Sequence, residues 1–166
     1  VSDTQAAAEG LHPRQPIMIV DDEEPILLAI DTTLRMAGLN NIVICADSRR
    51  VLGLLAEQHI EVMLLDLNMP HLHGERLLDA LNREHPDIPI IIVTAKGEIS
   101  EKVRGLTEGA NDYLTYPIDG TEIDLVIESI QQNRSTNLEL EYLRDKFWKS
   151  DWLDIIHTSN PVMRVV

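Results

Sequence analysis

Five short apolar runs along the chain alternate with segments in which apolar residues recur every three or four positions. The runs predict β-strands at residues 17–20, 42–45, 62–65, 88–94 and 112–115. The helical spacing predicts α-helices at about 23–37, 48–58, 74–84 and 99–108, followed by a fifth that Thr121 would cap. Strands that alternate with helices are typical of right-handed βαβ units around a parallel sheet. The pattern therefore predicts an α/β fold with a doubly wound, five-stranded parallel sheet.

The fifth helical segment continues further than a sheet of this size can cover. Its apolar and Asn positions follow one another at steps of three and four residues, at Ile123, Val126, Ile130, Asn133, Asn137, Leu140 and, seven residues later, Phe147. This spacing is typical of a coiled-coil seam, in which Asn lowers stability but can set the register. A single amphipathic helix on its own sheet is the alternative interpretation. We interpret residues 133–150 as a helical linker through which two copies of the chain form a homodimer.

Acidic residues follow two of the predicted strands at the point where each strand ends. Asp66 ends the third apolar run, and Asp21 and Asp22 follow the first. Because ligands of open α/β sheets bind at the carboxyl ends of the strands, we expect these three carboxylates to share one crevice. An oxygen-rich crevice suits Mg²⁺, which we predict as the cofactor. The alternative, that acids here only stabilise helix N-termini, suits Glu23 and Glu24 better than Asp66, which follows four apolar residues.

Composition narrows the classes of protein to consider. With 28 acidic against 14 basic residues, the net charge of −14 argues against direct contact of this chain with nucleic acid. No apolar stretch is long enough to span a membrane, and the N-terminus lacks the pattern of a signal peptide, so we predict a cytoplasmic protein without membrane contact. The single cysteine, Cys45, excludes an intramolecular disulfide framework. Residues 1–15 are small and polar and predict a disordered leader.

Four motifs stand in order at the ends of predicted strands: residues 19–23 (IVDDE), 64–70 (LLDLNMP), 91–95 (IIVTA) and 109–114 (GANDYL). Gly74 follows the second motif, and we interpret it as a flexible exit from the loop. Over residues 16–132 the chain resembles the receiver domain of bacterial two-component response regulators, the CheY-like family. The resemblance implies a flavodoxin-like order of the five strands.

The resemblance implies a role for each acidic residue of the predicted crevice. Asp66 would be the phosphoacceptor, taking a phosphoryl group from a phosphohistidine of a sensor histidine kinase. Asp22, Asp66 and the backbone carbonyl of Asn68 would bind Mg²⁺ directly, and Asp21 would bind it largely through water. The domain would catalyse only its own phosphorylation and dephosphorylation, so we do not predict an enzyme. A Mg²⁺-dependent phosphatase with an aspartyl nucleophile would require a second acidic residue at position 68. The chain has Asn68 there, which argues against this alternative.

The resemblance also implies a switch, and here the chain departs from the family. Thr94 would bond to the phosphoryl group and Tyr113 would then rotate inwards, which would alter the surface around the fifth strand. The family normally has Lys before the proline after this strand, whereas this chain has Tyr116, a neutral donor. Lys96 is a conceivable substitute. Tyr116 supports the alternative of a pseudo-receiver, a dimerisation or protein-interaction module that acts without phosphorylation.

The last part of the chain resembles the linker of sigma-54-dependent activators of the NtrC class. The resemblance covers residues 138–149 and 152–163, although His157 stands where glycine is usual. We therefore expect residues 151–166 to begin a truncated following domain, an ATPase that would be the receiver's partner in cis. A phosphate-binding loop ending in Gly-Lys-Ser/Thr does not occur in the sequence. The expected function is control of that transcription-activating domain through rearrangement of the dimer.

Overall fold

The structure is a computed structural model that describes residues 10–70, 74–95 and 109–158. Its five strands are β1 (Ile17–Val20), β2 (Ile42–Cys45), β3 (Val62–Asp66), β4 (Ile90–Ala95) and β5 (Asp112–Tyr116). They form one sheet in the order β2-β1-β3-β4-β5, and each neighbouring pair is parallel. The predicted flavodoxin-like fold with a five-stranded parallel sheet is therefore confirmed.

The helices that alternate with these strands are α1 (Glu24–Met36), a 3-10 turn (Ser48–Arg50), α2 (Val51–Glu57), α3 (Gly74–Glu84) and α4 (Gly120–Thr158). The predicted helix at 48–58 is thus divided into a 3-10 turn and a shorter α-helix. The predicted helix at 99–108 lies outside the described residues.

The neighbouring strands β1 and β3 lie deep in the core. Every residue of β1 is at most 1% exposed, which is the burial expected for a strand covered on both faces. On one face, alternate residues of β1 and β3 pack with apolar side chains of α2 and α3, among them Leu55, Leu77 and Leu81. Because this core is aliphatic, its stability comes from burial of branched side chains.

β4 begins two residues later than its apolar pattern predicts. Pro89 has no backbone N–H, so it cannot donate a hydrogen bond to a neighbouring strand. Its carbonyl accepts a hydrogen bond from the N–H of Met63 at 2.9 Å. The regular strand therefore begins at Ile90, where the side chain of Asn111 accepts the N–H at 2.8 Å.

The N-terminus of α4 is capped by Asp119, so the prediction that Thr121 caps this helix is wrong. A carboxylate oxygen of Asp119 accepts the backbone N–H of Thr121 at 2.7 Å. This bond is the largest cause that lowers the pKa of Asp119, and further bonds from the Thr121 side chain and the Glu122 N–H add to it. The cap lies two residues earlier than expected because Gly120 and Thr121 are already helical.

The chain divides into two compact units, Val1–Ile127 and Glu128–Val166, and α4 contributes residues to both. In the first unit Ile123 and Ile127 are buried in the core. The side chain of Ile123 is therefore buried in the core of its own domain and cannot contact a second copy of the chain. The prediction that it begins a dimer seam is wrong. In the second unit every side chain from Gln132 to Arg144 is exposed. Within the described residues, no helix is long and apolar enough to cross a membrane.

The segment that precedes β1 is held by hydrogen bonds, although it has no helix or strand. The backbone of His12 exchanges bonds with Asn40, and the side chain of Asn41 donates to the carbonyls of Pro13 and Arg14, both at 3.1 Å. These residues belong to the stretch 1–15 that we predict as a disordered leader, and residues 1–9 of it lie outside the described part of the chain.

Candidate metal centre

Three carboxylates meet at the carboxyl ends of β1 and β3. Asp21 and Asp22 directly follow β1, and Asp66 is the last residue of β3. The two strands are neighbours in the sheet, with Val20 opposite Leu65, so their ends lie side by side. One oxygen from each carboxylate lies within 4.8 Å of the other two. The structure thus brings together the three acidic residues that the sequence predicts at the site.

The three carboxylates differ in their exposure to solvent. Asp21 is 2% exposed, Asp66 is partly buried and Asp22 is exposed. The pKa of Asp21 is raised to about 7, mainly because burial disfavours the charged carboxylate and in smaller part because of the charges of Asp66 and Asp22. A hydrogen bond of 2.8 Å from the N–H of Glu23 opposes this increase. The buried carboxyl is costly to ionise because it lies among like charges and away from water.

The loop after β3 is fixed close to the Asp66 carboxylate. The N–H of Asn68 donates to Oδ1 of Asp66 at 3.2 Å. Leu67 and Met69 are each 3% exposed and join the core cluster, while Asn68 between them is exposed. The two buried side chains therefore hold Asn68, whose backbone carbonyl is the fourth predicted metal ligand, next to the Asp66 carboxylate.

This donor set fits a hard divalent cation. All the candidate ligands are oxygens, and Mg²⁺ binds through one or two carboxylates while keeping several waters. The pKa of Asp21 is raised chiefly by burial, and the negative charges of Asp66 and Asp22 add to the increase. A bound dication would compensate that charge, and its binding would release a proton wherever Asp21 is protonated.

The other predicted residues lie on β4 and β5. Thr94 is opposite Thr115 in the sheet, and its side chain lies outside the described part of the structure. Tyr113 is 36% exposed, and its backbone N–H donates to the side chain of Asp112 at 2.8 Å. Tyr116 ends β5, is partly buried and precedes a cis peptide bond. Lys96 also lies outside the described residues.

Gly74 has a different role in the structure from the flexible exit that we expected. It is buried, and its φ angle is not among the positive ones, which belong to Gly38 and Gly109. A Cβ atom at position 74 would meet the backbone of Asp66 and Leu67. The sequence signal for this contact is only the glycine itself at the start of α3, which does not distinguish flexibility from close packing.

Residues 17–128 match the protein family described as the response regulator receiver domain. The chain therefore belongs to this family, which confirms the family predicted from its motifs. Receiver domains of this family are parts of two-component signalling systems, and the fold and the acidic crevice described above agree with that class of protein.

Among its relatives, the chain is 31% identical over 148 residues to the regulatory protein AtoC of Escherichia coli (strain K12), covering 89% of this chain and 32% of AtoC. It is 28% identical over 120 residues to the transcriptional regulatory protein PrrA of Mycobacterium tuberculosis, covering 72% of this chain and 51% of PrrA. The chain thus spans about a third to a half of the length of these relatives.

Solved structures show the same fold. A response regulator receiver domain from Clostridium thermocellum has a TM-score of 0.65 and 28% identity, covering 75% of this chain and 98% of that one. NtrX from Brucella abortus has a TM-score of 0.69 and 24% identity, covering 78% of this chain and 29% of NtrX. The second likeness supports the fold alone.

Proposed function

We propose that the chain is a phosphoacceptor receiver that takes a phosphoryl group from a sensor histidine kinase onto Asp66. The observation that supports this proposal is the convergence of three carboxylates, with oxygens within 4.8 Å of one another, at the ends of two adjacent strands. Carboxylates this close together repel one another, so the arrangement lowers the stability of the fold unless a bound cation compensates their charge. Because the chain belongs to the receiver family, we infer that the ligand is a divalent cation and that the reaction is phosphoryl transfer.

In the proposed reaction a carboxylate oxygen of Asp66 forms a bond to phosphorus, while the phosphorus–nitrogen bond of the donor phosphohistidine breaks. Mg²⁺, when bound, supplies the positive charge that offsets the repulsion between the anionic acceptor and the anionic phosphoryl group. The chain's own contribution is positional. Asp66 is held at the end of a buried strand, and the N–H of Asn68 fixes one of its oxygens.

Asp21 and Asp22 have separate tasks in this proposal. Asp22 is exposed and acts as a direct metal ligand together with Asp66 and the carbonyl of Asn68. Asp21 is buried beside these ligands, and in this proposal it contributes negative charge to the site and reaches the cation through an intervening water. Because its pKa is about 7, we expect Mg²⁺ binding to weaken as the pH falls below 7 and a proton competes with the cation.

The parent protein that we propose is a transcriptional activator of the NtrC class. The match to AtoC covers 148 of the 166 residues, so it must reach at least residue 148 and cannot end with the receiver family at residue 128. A relative that matches the helix beyond the receiver supports the predicted linker at 133–150. We therefore infer a downstream effector domain, an ATPase, that this receiver controls in cis.

The exposed helix of the second unit supports the proposal of a homodimer. Leu138, Leu140, Tyr142 and Leu143 are 40–67% exposed within a stretch of six residues. Leu140 and Leu143 lie three positions apart, so they share a face of the helix. We propose that this face meets a second copy of the chain, and that phosphorylation acts on the effector domain by rearranging the dimer.

Sedimentation of the whole chain tests the dimer. The double substitution Leu140→Glu and Leu143→Glu should shift a dimer to monomer by adding charge to the seam. Leu125→Glu is the matched control, since Leu125 is exposed to a similar degree, 62% against 58% for Leu140, but lies in the first unit. A wild-type chain that sediments as a monomer at high concentration would contradict this part of the proposal.

Intact-protein mass spectrometry after incubation with acetyl phosphate tests the phosphoacceptor. The wild-type chain should gain one phosphoryl group in the presence of Mg²⁺ and none in EDTA. Asp66→Asn should gain none under either condition, and Asp79→Asn, which changes an exposed carboxylate on α3, should behave as the wild type. A phosphoryl adduct that persists in Asp66→Asn would show that Asp66 is not the acceptor.

A specific observation favours the second candidate, a pseudo-receiver that acts as a dimerisation or protein-interaction module without phosphotransfer. Tyr116 at the end of β5 offers a neutral hydroxyl where the family normally has an ammonium group. Under this alternative the wild-type chain would bind Mg²⁺ and form the dimer but gain no phosphoryl group. The same mass measurement, made beside a Mg²⁺ titration, distinguishes the two candidates.

A further inference from the structure

The start of α3 lies directly against the backbone that carries the acidic site. A Cβ atom at Gly74 would overlap Cα of Leu67, and it would lie 2.8 Å from the carbonyl oxygen of Asp66 and 2.9 Å from that of Leu67. All three neighbours are backbone atoms, so a change of rotamer could not relieve the overlap. Any side chain at position 74 must therefore displace α3 or the peptide units after β3.

The same contact includes a hydrogen bond. The N–H of Gly74 donates to the carbonyl of Leu67 at 3.2 Å, and the N–H of Asn68 donates to Asp66 at 3.2 Å. The peptide units of residues 66–68 thus have two fixed points, the acceptor carboxylate and the first turn of α3. The buried side chains of Leu67 and Met69 prevent these units from moving outwards to make room.

We propose that Gly74 is a positioning residue for the phosphoacceptor site. By lacking a Cβ, it lets α3 rest on the peptide units that present Asp66 and the carbonyl of Asn68, and so sets where these oxygens stand relative to Asp21 and Asp22. This inference rests on the proposed function and deepens it. A displacement of about 1 Å at a functional site can cost about 100-fold in rate, so a small shift here has a large expected effect.

The test compares Gly74→Ala with two controls in the whole chain. Gly53→Ala adds the same methyl group on α2, where nothing lies within 4 Å. Leu81→Ala creates a cavity on the same helix as Gly74, at a fully buried position in the core. Mg²⁺ affinity is measured by titration calorimetry, and the rate of phosphorylation by acetyl phosphate at saturating Mg²⁺.

We expect Gly74→Ala to weaken Mg²⁺ binding at least about tenfold and to slow phosphorylation even at saturating Mg²⁺. Both controls should keep the wild-type affinity within about twofold. Leu81→Ala tests whether lost stability alone explains the effect, since it destabilises the domain by a cavity and adds no atom against the backbone of residues 66–68. An affinity of Gly74→Ala within twofold of wild type would overturn the inference.

Hydrogen exchange on the wild-type chain gives a second measurement that does not depend on the variant's folding. If α3 and the loop position the metal ligands together, Mg²⁺ should slow exchange of the Gly74 N–H, which bonds to Leu67, at least about tenfold. Exchange of His85 N–H, bonded to Leu81 at the far end of α3, should change little. Equal changes at both amides would overturn the inference.

The outcomes separate this inference from the proposed function. A wild-type chain that binds no Mg²⁺ and gains no phosphoryl group would overturn both. A wild-type chain that does both, beside a Gly74→Ala variant that is equally active, would overturn only the role of Gly74.

Discussion

The two sides of the candidate site differ in how completely they match their family. On the side of β1 and β3, Asp21, Asp22 and Asp66 meet within 4.8 Å. On the side of β4 and β5, Tyr116 ends the last strand at the position where the resemblance implies a Lys. In the proposed function, cation binding and the response to phosphorylation rest on different elements of one sheet. We therefore expect substitutions to change one of them without the other.

Burial explains why we expect the first side to depend more on a bound cation than the second side does. Asp21 is 2% exposed and carries a raised pKa, so its charge needs a partner. Tyr113 is exposed and Tyr116 is partly buried, so water reaches both side chains. Substitutions on the first side should therefore cause large changes in metal affinity and stability. Substitutions on the second side should cause small changes in the response to phosphorylation.

The largest effect should come from a direct ligand on the first side. Asp22→Asn should weaken Mg²⁺ binding by on the order of 100-fold, because it replaces a charged carboxylate by a neutral amide whose oxygen is a weaker ligand. Titration calorimetry measures the change. Glu24→Gln removes an exposed charge at the start of α1 and should change the affinity less than about threefold. Equal losses in both variants would mean that Asp22 acts only through general electrostatics.

Asp21 should show a pH-dependent effect on stability in EDTA. Its folded pKa, about 7, is raised above the unfolded value of 3.8, so the stability that its protonated form contributes is present below about pH 4. That contribution is lost as the pH rises to about 7. Asp21→Asn should therefore be more stable than wild type at pH 8, by on the order of 2 kcal/mol, with the difference declining towards pH 4.

Urea unfolding of both proteins at pH 5, 6, 7 and 8 measures this difference. Saturating Mg²⁺ should reduce it, because the cation compensates the same charge in the wild type. A difference between the two proteins that is constant over this pH range would show that Asp21 is not the titrating group.

A smaller effect should come from restoring the missing charge on the second side. Tyr116→Lys should raise the yield or lifetime of the phosphorylated chain about fivefold, because a charge-assisted hydrogen bond exceeds a neutral one by about 1 kcal/mol. Tyr116→Met, which removes the hydroxyl without adding charge, is the control. Phosphorylation kinetics followed by intact mass measure the change, and equal kinetics in the three proteins would argue against a response role for position 116.

The smallest effect on the unmodified chain should come from Tyr113→Ala. Tyr113 is 36% exposed, so its removal should change the free energy of unfolding by no more than about 0.5 kcal/mol. The phosphoryl group should still be gained at the wild-type rate, but the accompanying change in hydrogen exchange across β5 should fall by about half or more. An unaltered exchange response would remove Tyr113 from the proposed switch.

Much of the fold could be predicted from the sequence because its signals are local. The four-residue strands β1 and β2 have the predicted bounds, since short continuous apolar runs indicate strands of a parallel sheet. The meeting of Asp21, Asp22 and Asp66 followed from their places at strand ends, because the carboxyl ends of parallel strands lie at one edge of a sheet. The observed starts of β4 and α4 differ from the predicted ones by one or two residues. The reasons are local: Pro89 cannot donate a backbone hydrogen bond, and Asp119 caps α4.

The sequence by itself therefore determined the fold class, the family and which carboxylates meet. Only the tertiary structure decided that Asp21 is buried while its neighbour Asp22 is exposed, that Ile123 belongs to the core rather than to a dimer seam, and that Gly74 is needed for space. Periodicity and strand ends are properties of neighbouring residues. Burial and close contact depend on which distant elements pack together, and a one-dimensional pattern does not specify those distances.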